Sequence, residues 1–180
     1  MLESTIKVDD ELALKYLQDI MGKMEIIDVL STSNMYLNYL IHSKVEKIKS
    51  LNIDLTCGFK NTLDFLNLFE LTTILGNLID NAMKASQEGQ TIIVKTYLEN
   101  NQVVVSVVDE GMGMSQEDVK KATEAFYMAD KSRSRSLGGA GLGLTIVKRI
   151  CDAHQTELSI QSELHLGTTV SFTLEVIDHE

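Results

Sequence analysis

The sequence predicts an α+β fold, in which a sheet of about five strands packs against helices and a helical arm precedes both. One observation is a change of period near residue 50, where apolar residues stop recurring at helical spacing and begin to alternate as in a strand. The second is that helix-period and strand-period segments interleave over residues 52–176, without an internal repeat. Together these observations favour one domain that contains both kinds of element.

The first 50 residues are predicted to form two helices. Within residues 9–30, apolar side chains recur alternately four and three residues apart, as in a short coiled-coil seam: Ala13, Leu17, Ile20, Met24 and Ile27. Residues 31–34, Ser-Thr-Ser-Asn, supply helix-capping residues, and a second helix is expected from Asn34 to about Ser50. We expect residues 1–50 to form an arm that is separate from a domain over residues 51–180.

The rest of the chain alternates strands and helices. Strands are predicted over residues 52–59, 156–162 and 168–176, and a hairpin with a polar Glu99-Asn100-Asn101 turn over residues 91–110. Helices are predicted over residues 67–86 and 141–154. Residues 111–140 are rich in glycine, serine and charge and show little regular pattern.

Composition limits the function. The net charge of −10 argues against a surface that binds nucleic acid or anionic lipid. The two cysteines, Cys57 and Cys151, make no metal or disulfide pattern, which suggests a reducing compartment. The sequence shows no signal peptide and no apolar run near the ~20 residues that a bilayer crossing needs. We therefore expect a soluble, cytoplasmic domain, and the sequence leaves open whether a longer parent protein is anchored in a membrane.

The helix over residues 67–86 carries an unusual polar stripe. Asn77, Asn81 and Lys84 are spaced four and three residues apart, which places them on one face, next to an apolar one. Taken alone, the two amides could be a solvated helix face and Lys84 a surface lysine. The stripe becomes informative only together with the glycine clusters that follow it.

Two glycine clusters follow the polar helix. The stretch GGAGLGLT (138–145) resembles a phosphate loop, but no Lys-Ser/Thr follows it as in a Walker motif, and Leu144 stands where a dinucleotide fingerprint needs glycine. The stretch DEGMG (109–113) follows a strongly apolar strand, and its Asp109 could simply cap a turn. Each cluster alone is explained by a tight turn.

In this order and at these separations, the motifs resemble the nucleotide-binding domain of the GHKL superfamily, whose fold is a two-layer α/β sandwich with a mixed sheet and three helices on one face. The resemblance covers roughly residues 50–177. NLIDNAMKAS resembles the N box of the family, DEGMG its G1 box, AFYMADKSRSR its F-box region and GGAGLGL its G2 box. In this family the segment before the last glycine cluster is a lid over the nucleotide, and here it contains DKSRSR (130–135). This sequence, followed by GLGL and IVK, is most similar to the lids of sensor histidine kinases, although Met128 stands where that family commonly has arginine.

The resemblance implies a site for Mg²⁺·ATP. Asn81 is expected to supply an amide oxygen to Mg²⁺, which prefers oxygen ligands, with Asn77 orienting the ion or its water. Lys84 is expected to contact a phosphate as a point charge. Lys131 and Arg133 on the lid are expected to neutralise charge on the transferring γ-phosphoryl group.

The resemblance also implies how the base is held. Asp109 is expected to accept a hydrogen bond from the adenine amino group, with Thr168 supporting it, while Gly111 and Gly113 let the backbone approach the base. The glycine cluster over residues 138–145 is expected to place backbone N–H groups at the phosphates. The residues concerned are Gly139, Gly141, Leu142, Gly143 and Leu144.

Position 77 bears on the reaction. ATP-hydrolysing members of the superfamily have glutamate there as general base, and an amide cannot accept the proton. Asn77 therefore favours phosphotransfer over hydrolysis. At helical spacing Asp80 points away from the asparagine face, whereas Glu70 lies two turns before Asn77 on the same face and stays open as a substitute base.

The sequence lacks an acceptor histidine of the expected kind, which lies on a helix and is followed by an acidic residue. His42, His154 and His165 are followed by uncharged residues, and His179 lies beyond the last predicted strand. We expect residues 9–50 to be the second part of a dimerisation hairpin whose acceptor helix is missing.

The resemblance thus implies an ATP-dependent protein-histidine kinase, whose partners would be an acceptor helix, a response regulator and, in the full-length protein, a second copy. Two alternatives stay open. One is a regulatory nucleotide-binding module without catalysis. The other is an anti-sigma-type serine kinase, which is disfavoured because that group keeps glutamate at the position of Asn77.

Overall fold

The structure is a computed structural model that describes residues 35–59, 68–129 and 140–175. Its elements in chain order are α1 (Met35–Ser50), β1 (Asp54–Phe59), α2 (Leu68–Ala85), β2 (Thr91–Glu99), β3 (Gln102–Asp109), α3 (Gln116–Lys121), α4 (Gly143–Ala153), β4 (Leu158–Glu163) and β5 (Gly167–Glu175). The helix predicted over residues 9–30 lies outside the described residues. None of the helices in the described ranges is both long and apolar enough to span a bilayer.

The five strands form one mixed sheet in the order β1-β2-β3-β5-β4. β1 runs parallel to β2, and the three other neighbouring pairs are antiparallel. A parallel pair needs a crossover connection, and the chain between β1 and β2 contains α2. The predicted α+β fold with a mixed sheet of about five strands is confirmed, with element ends shifted by one or two residues.

The β2–β3 hairpin closes through two asparagines. Glu99 pairs with Gln102, so the turn consists of Asn100 and Asn101, whose φ angles are 49° and 61°. Positive φ at both central residues is the geometry that matches the twist of a two-residue hairpin, and asparagine tolerates it better than most residues. The predicted hairpin is confirmed, with a turn one residue shorter than expected.

One hydrophobic core lies between the sheet and three helices, α1, α2 and α4. Alternate residues of the central strands face it, including Val94 on β2, Val105 on β3 and Phe172 on β5, all at most 1% exposed. Helix α2 lies at the centre of the helical layer, because its buried positions recur at helical spacing: Leu71, Ile74, Leu75, Leu78 and Ile79. This layer is what holds the polar stripe of α2 in a fixed position.

Helix α1 belongs to this core, although the sequence analysis assigned it to a separate arm. Its Ile41, Val45 and Ile48 are at most 3% exposed, and Lys44 forms a 2.7 Å ion pair with Asp80 of α2. The boundary between residues 50 and 51 stays a prediction, while residues of α1 share the hydrophobic core with α2 and the sheet. An amphipathic pattern identifies a buried face but does not say which surface covers it.

A short helix, α3, interrupts the segment that was expected to lack regular structure. Ser115 caps it by accepting a hydrogen bond from the backbone N–H of Asp118 at 3.1 Å. The side chain of Asp118 in turn accepts hydrogen bonds from Ser115 at 2.5 Å and from the Tyr127 hydroxyl at 2.6 Å. These bonds hold the pKa of Asp118 below its ordinary value, with the Ser115 bond the largest cause.

Candidate functional site

The asparagines of α2 face the first residue of α4. Asn77 donates its side-chain N–H to the Thr73 carbonyl at 2.7 Å, which fixes the orientation of the amide. A Cβ added to Gly143 would lie 3.0 Å from Asn77 Oδ1 and 3.4 Å from Asn81 Nδ2. Glycine at position 143 thus lets both amides approach the helix start.

The beginning of α4 offers backbone N–H groups at the same place. Leu142 is its N-cap and makes no side-chain capping hydrogen bond, and the first helical bond found there runs from Ile146 N–H to the Leu142 carbonyl. The N–H groups of the first turn, together with the helix dipole, favour an anion. Two amide oxygens and a helix N-terminus therefore meet at one point, which suits a metal-bound phosphate.

Gly141 sets the direction in which the chain enters α4. Its φ is +69°, and a Cβ there would lie 2.7 Å from backbone atoms of Phe126 and Tyr127. The Phe126 N–H donates to the Gly141 carbonyl at 2.8 Å, which joins the chain before residue 130 to the chain after residue 139. A side chain at position 141 would push these two segments apart.

The second part of the site lies where β3 ends. Asp109 is 7% exposed, and burial raises the pKa of its carboxyl to about 6, against the lowering effect of hydrogen bonds from the backbone N–H groups of Gly111 and Thr168. The bond from Gly111 is 2.9 Å long. Thr168 pairs with Asp109 across β3 and β5 and is 9% exposed. A buried carboxylate with spare lone pairs can accept a ligand N–H.

Close backbone packing surrounds Asp109. A Cβ added to Gly111 would lie 2.6 Å from the Ala85 carbonyl, and one added to Gly113 would lie 1.9 Å from the Glu163 carbonyl oxygen. Met112 donates its N–H to the Ala85 carbonyl at 3.1 Å, so the loop after β3 is fastened to the last turn of α2. Helix α2 thereby connects the asparagine end of the site to the Asp109 end.

A cavity of about 430 Å³ opens beside Asp109 and Thr168, between the ends of β3, β4 and β5. Asn77, Asn81 and Gly143 do not line it. The contacts between the amides and the start of α4 locate polar groups that a ligand needs, outside the lining of this cavity. The cavity marks space at the Asp109 end.

The structure brings most of the predicted residues to these two places. Asn77, Asn81, Leu142 and Gly143 lie at the start of α4, while Asp109, Gly111, Gly113 and Thr168 lie at the end of β3. Lys84 lies half-buried in the last turn of α2, and Gly141 packs against Phe126. Lys131, Arg133 and Gly139 lie outside the described residues. Their roles as ligands, like those of the others, stay predictions.

The side chain of Leu144 is not available to a ligand, although the sequence predicts this residue in the site. Its side chain is partly buried and packs against the hydrophobic core. Only its backbone N–H, in the first turn of α4, is therefore available to a phosphate.

The two carboxylates of α2 are engaged away from the amides. Asp80 pairs with Lys44 at 2.7 Å, and Glu70 contacts His154 Nε2, at the C-cap of α4, at 2.9 Å. Since Glu70 meets the end of α4 while Asn77 meets its beginning, α2 and α4 run antiparallel. Glu70, which sequence reasoning left open as a base, is thus placed about one helix length from Gly143.

Two residues at the Asp109 end of the site, Gly167 and Ser162, are not among those predicted from the sequence. Gly167 has φ of +104°, and a Cβ there would lie 1.9 Å from the Asp109 carbonyl oxygen. The Ser162 hydroxyl lies 2.9 Å from Thr168 Oγ1. Glycine before Thr168 was a signal that could have been used, whereas a serine within a strand carries none.

The α+β fold, with amides at the start of α4 and a buried carboxyl at the end of β3, has the architecture of a nucleotide-binding domain. The chain matches the family described as histidine kinase-, DNA gyrase B- and HSP90-like ATPases over residues 67–177. It belongs to this family, and the predicted GHKL membership is confirmed.

The relatives and a solved structure agree with this assignment. ArlS of Staphylococcus epidermidis, a signal transduction histidine-protein kinase, is 33% identical over 155 residues, which cover 84% of this chain and 34% of ArlS. The sensor histidine kinase WalK of Bacillus subtilis is 42% identical over 107 residues, 58% of this chain and 18% of WalK. The catalytic domain of histidine kinase ThkA is 27% identical with a TM-score of 0.62, covering 77% of this chain and 93% of that domain.

The chain thus spans about a third of the length of ArlS and less than a fifth of that of WalK. What it shares with such proteins is the ATPase-type catalytic domain of sensor histidine kinases.

Proposed function

We propose that this chain binds Mg²⁺·ATP and delivers the γ-phosphoryl group to a histidine on a separate segment, as the catalytic domain of a two-component sensor kinase. The observation that carries the proposal is the pair of amides, Asn77 and Asn81, facing the start of α4 at Gly143. Amide oxygens can bind a metal ion or its water but cannot take a proton from water.

The donor set fits Mg²⁺. At this place the described part of the chain offers the neutral amide oxygens of Asn77 and Asn81, and no three His, Cys, Asp or Glu side chains cluster as metal ligands among the described residues. Asn81 would contact the ion and Asn77 would orient it or its water. When bound there, Mg²⁺ would supply positive charge that offsets the charge of the phosphates. Because the protein ligands are neutral, affinity for the ion would come mainly from the nucleotide.

The positions of the acidic residues support transfer in preference to hydrolysis. In α2, Asp80 is paired with Lys44, and Glu70 with His154. No carboxylate of α2 is thus placed next to the amides as a general base for water. The γ-phosphate is left for a nucleophile that arrives on another segment, and Lys84, Lys131 and Arg133 would neutralise its charge.

Transfer of radiolabel tests the proposal. The purified chain is mixed with γ-labelled ATP and a separately made acceptor-helix domain of a related histidine kinase, and the label is followed on the acceptor. Acid-labile, base-stable label is the expected result, because phosphohistidine has this stability. The matched control is Asn81→Ala, which should transfer little label while keeping its fold, as circular dichroism would show.

The same experiment separates the alternatives. Acid-stable label would indicate a serine kinase, and tight ATP binding with neither transfer nor hydrolysis would indicate a regulatory module. Rapid release of free phosphate by the unmodified chain would contradict the proposal. The response regulator would be the next acceptor, after the histidine.

A further inference from the structure

Three groups converge on the hydroxyl of Ser162, on strand β4. The Met114 N–H donates to Ser162 Oγ at 2.8 Å. Ser162 Oγ lies 3.0 Å from the Gly167 carbonyl oxygen, to which it donates, and 2.9 Å from Thr168 Oγ1. The serine thus joins the loop after Asp109 to the beginning of β5.

One hydroxyl has a single hydrogen and two lone pairs, and this fixes the direction of each bond. Ser162 donates its hydroxyl hydrogen to the carbonyl of Gly167, which is a buried residue. One lone pair of Ser162 Oγ accepts the Met114 N–H. The remaining lone pair can only accept, so the Thr168 hydroxyl donates its hydrogen to Ser162. The reverse direction would take the Ser162 hydrogen away from a buried carbonyl, which is costly.

This direction has a consequence for a ligand beside Asp109. With its hydrogen engaged, Thr168 Oγ1 can offer a ligand only lone pairs. Asp109 is the residue that pairs with Thr168 in the register of β3 and β5, and its carboxylate also accepts when it is ionised. Two acceptors side by side suit a 6-amino purine, whose amino group donates, and oppose a 6-oxo purine, whose oxygen accepts.

We propose that Ser162 is a specificity-positioning residue: by holding the Thr168 hydroxyl as an acceptor, it makes the base site select 6-amino over 6-oxo purine nucleotides. Ser162 acts through Thr168. The proposal rests on the proposed function, because it assumes that a purine nucleotide binds at Asp109.

The inference predicts a change of preference in addition to any change of affinity. In Ser162→Ala, the Thr168 hydrogen is released and can turn to donate to a 6-oxo group. The preference for ATP over inosine triphosphate should then fall about tenfold, which is what one hydrogen bond contributes. The two nucleotides have the same triphosphate, so contacts with phosphate, metal and lid cancel in the ratio.

The experiment is titration calorimetry of the full chain with MgATP and with magnesium inosine triphosphate. Ser162→Thr keeps the hydroxyl and should restore the preference. Ser159→Ala is the matched control, because it makes the same change on the same strand, on the opposite face of the sheet. It should leave the preference unchanged.

The outcomes decide between three cases. A lower preference in Ser162→Ala, restored in Ser162→Thr, supports the proposal. Equal weakening of both nucleotides, with the preference unchanged, would mean that Ser162 only braces the loop and would overturn it. If the unmodified chain binds neither nucleotide, the proposed function itself fails, and this inference with it.

A second pair of variants keeps the test decisive if Ser162→Ala does not fold. Thr168→Val removes the hydroxyl at nearly constant shape and should lower the preference for ATP over inosine triphosphate. ATP loses an acceptor for its amino group, whereas inosine triphosphate is relieved of an oxygen that repels its 6-oxo group. Thr168→Ser should keep it. An unchanged preference in Thr168→Val would overturn the proposal.

Discussion

At the residue scale, we expect the buried carboxyl of Asp109 to make nucleotide binding depend on pH. Burial is the largest cause of its raised pKa, about 6 in place of 3.8, and the N–H groups of Gly111 and Thr168 oppose the rise. The group is therefore mainly ionised at pH 7.5 and mainly protonated at pH 5. Only the ionised form offers all its lone pairs to an adenine amino group.

We expect the affinity for MgATP to fall as the pH drops from 7.5 to 5, since protonation of Asp109 replaces an acceptor by a donor. Asp109→Asn should bind weakly and show little of this pH dependence, because a buried amide is mismatched to the amino group. Calorimetry at three pH values checks both. Equal affinity in the two proteins at pH 7.5 would contradict the assignment of Asp109.

The same pKa acts in the opposite sense on the stability of the unliganded protein. The folded state binds the proton of Asp109 more tightly than the unfolded state does. The stabilisation that this proton gives the fold is therefore fully present below pH 4 and is lost as the pH rises through 6. A rise of this pKa from 3.8 to about 6 makes the folded state about 3 kcal/mol less stable at neutral pH than it would be with the carboxyl protonated. Asp109→Asn should therefore fold at least as stably as the unmodified chain at pH 7, and urea denaturation provides this control for the binding result.

We expect the side chain at position 77 to decide between hydrolysis and transfer. The unmodified chain should bind ATP and hydrolyse it very slowly, because Asn77 is held by the Thr73 carbonyl and carries no base. Asn77→Glu should raise the rate of hydrolysis, near the low end of the ~10²–10⁴-fold that general-base assistance contributes. Phosphate release measured at saturating MgATP checks this.

Two further variants serve as controls for that measurement. Asn81→Asp should disturb the geometry of the metal ion and reduce transfer without creating a base. Glu70→Gln should leave the slow hydrolysis unchanged, because Glu70 contacts His154 at the far end of α4. A loss of hydrolysis in Glu70→Gln would show that water is activated from that carboxylate after all.

At the scale of elements, the contact between α2 and the beginning of α4 is the part of the site that the sequence could not supply. The stripe of Asn77 and Asn81 was predicted, because three- and four-residue spacing is a local property of a helix. That Gly143 would lie against both amides depends on how two helices cross, which no local pattern states. The short helix α3 is a different case, since the spacing of Ser115 and Asp118 is that of a helix cap and is a local signal in the sequence.

Gly143→Ala tests the contact between these helices. The added Cβ would lie 3.0 Å from Asn77 Oδ1, so the amide must shift by a few tenths of an ångström. We expect the fold to persist and the affinity for MgATP to fall several-fold, as measured by calorimetry. Unchanged affinity would mean that the amides of α2 do not hold the metal ion.

Gly76→Ala is the matched control, one residue before Asn77 in the same helix. A Cβ there would meet Leu40 Cδ1 at an ordinary 3.8 Å. Because alanine is preferred to glycine inside a helix, the free energy of unfolding should rise by up to about 1 kcal/mol, with nucleotide affinity unchanged.

At the scale of the whole molecule, one core supports both ends of the site. The sheet holds Asp109 and Thr168 in register, and α2 carries the asparagines while its last turn fastens the loop after Asp109. Sequence periods predicted the strands and helices well, because each period is a local property. They did not predict that α1 would join this core, because the apolar face of α1 has the same pattern whether it packs against the sheet or against a partner helix.

The membership of α1 in the core leads to a prediction about shortened chains. A chain of residues 51–180 loses Ile41, Val45 and Ile48, three aliphatic side chains that are at most 3% exposed. Burial of each contributes roughly 1.5–3 kcal/mol, so the loss is a large part of the 5–15 kcal/mol that stabilises a typical domain. We expect this chain to be largely unfolded at 37 °C, whereas a chain of residues 35–180 should unfold cooperatively.

Thermal unfolding of the two shortened chains, followed by circular dichroism, checks this prediction. Val45→Ala in the full chain is the milder companion, because it opens a small cavity in the same contact without removing the helix, and it should lower the midpoint of unfolding by several degrees. Equal midpoints for residues 51–180 and 35–180 would mean that α1 is dispensable. The domain would then begin after residue 50, as the change of period in the sequence suggests.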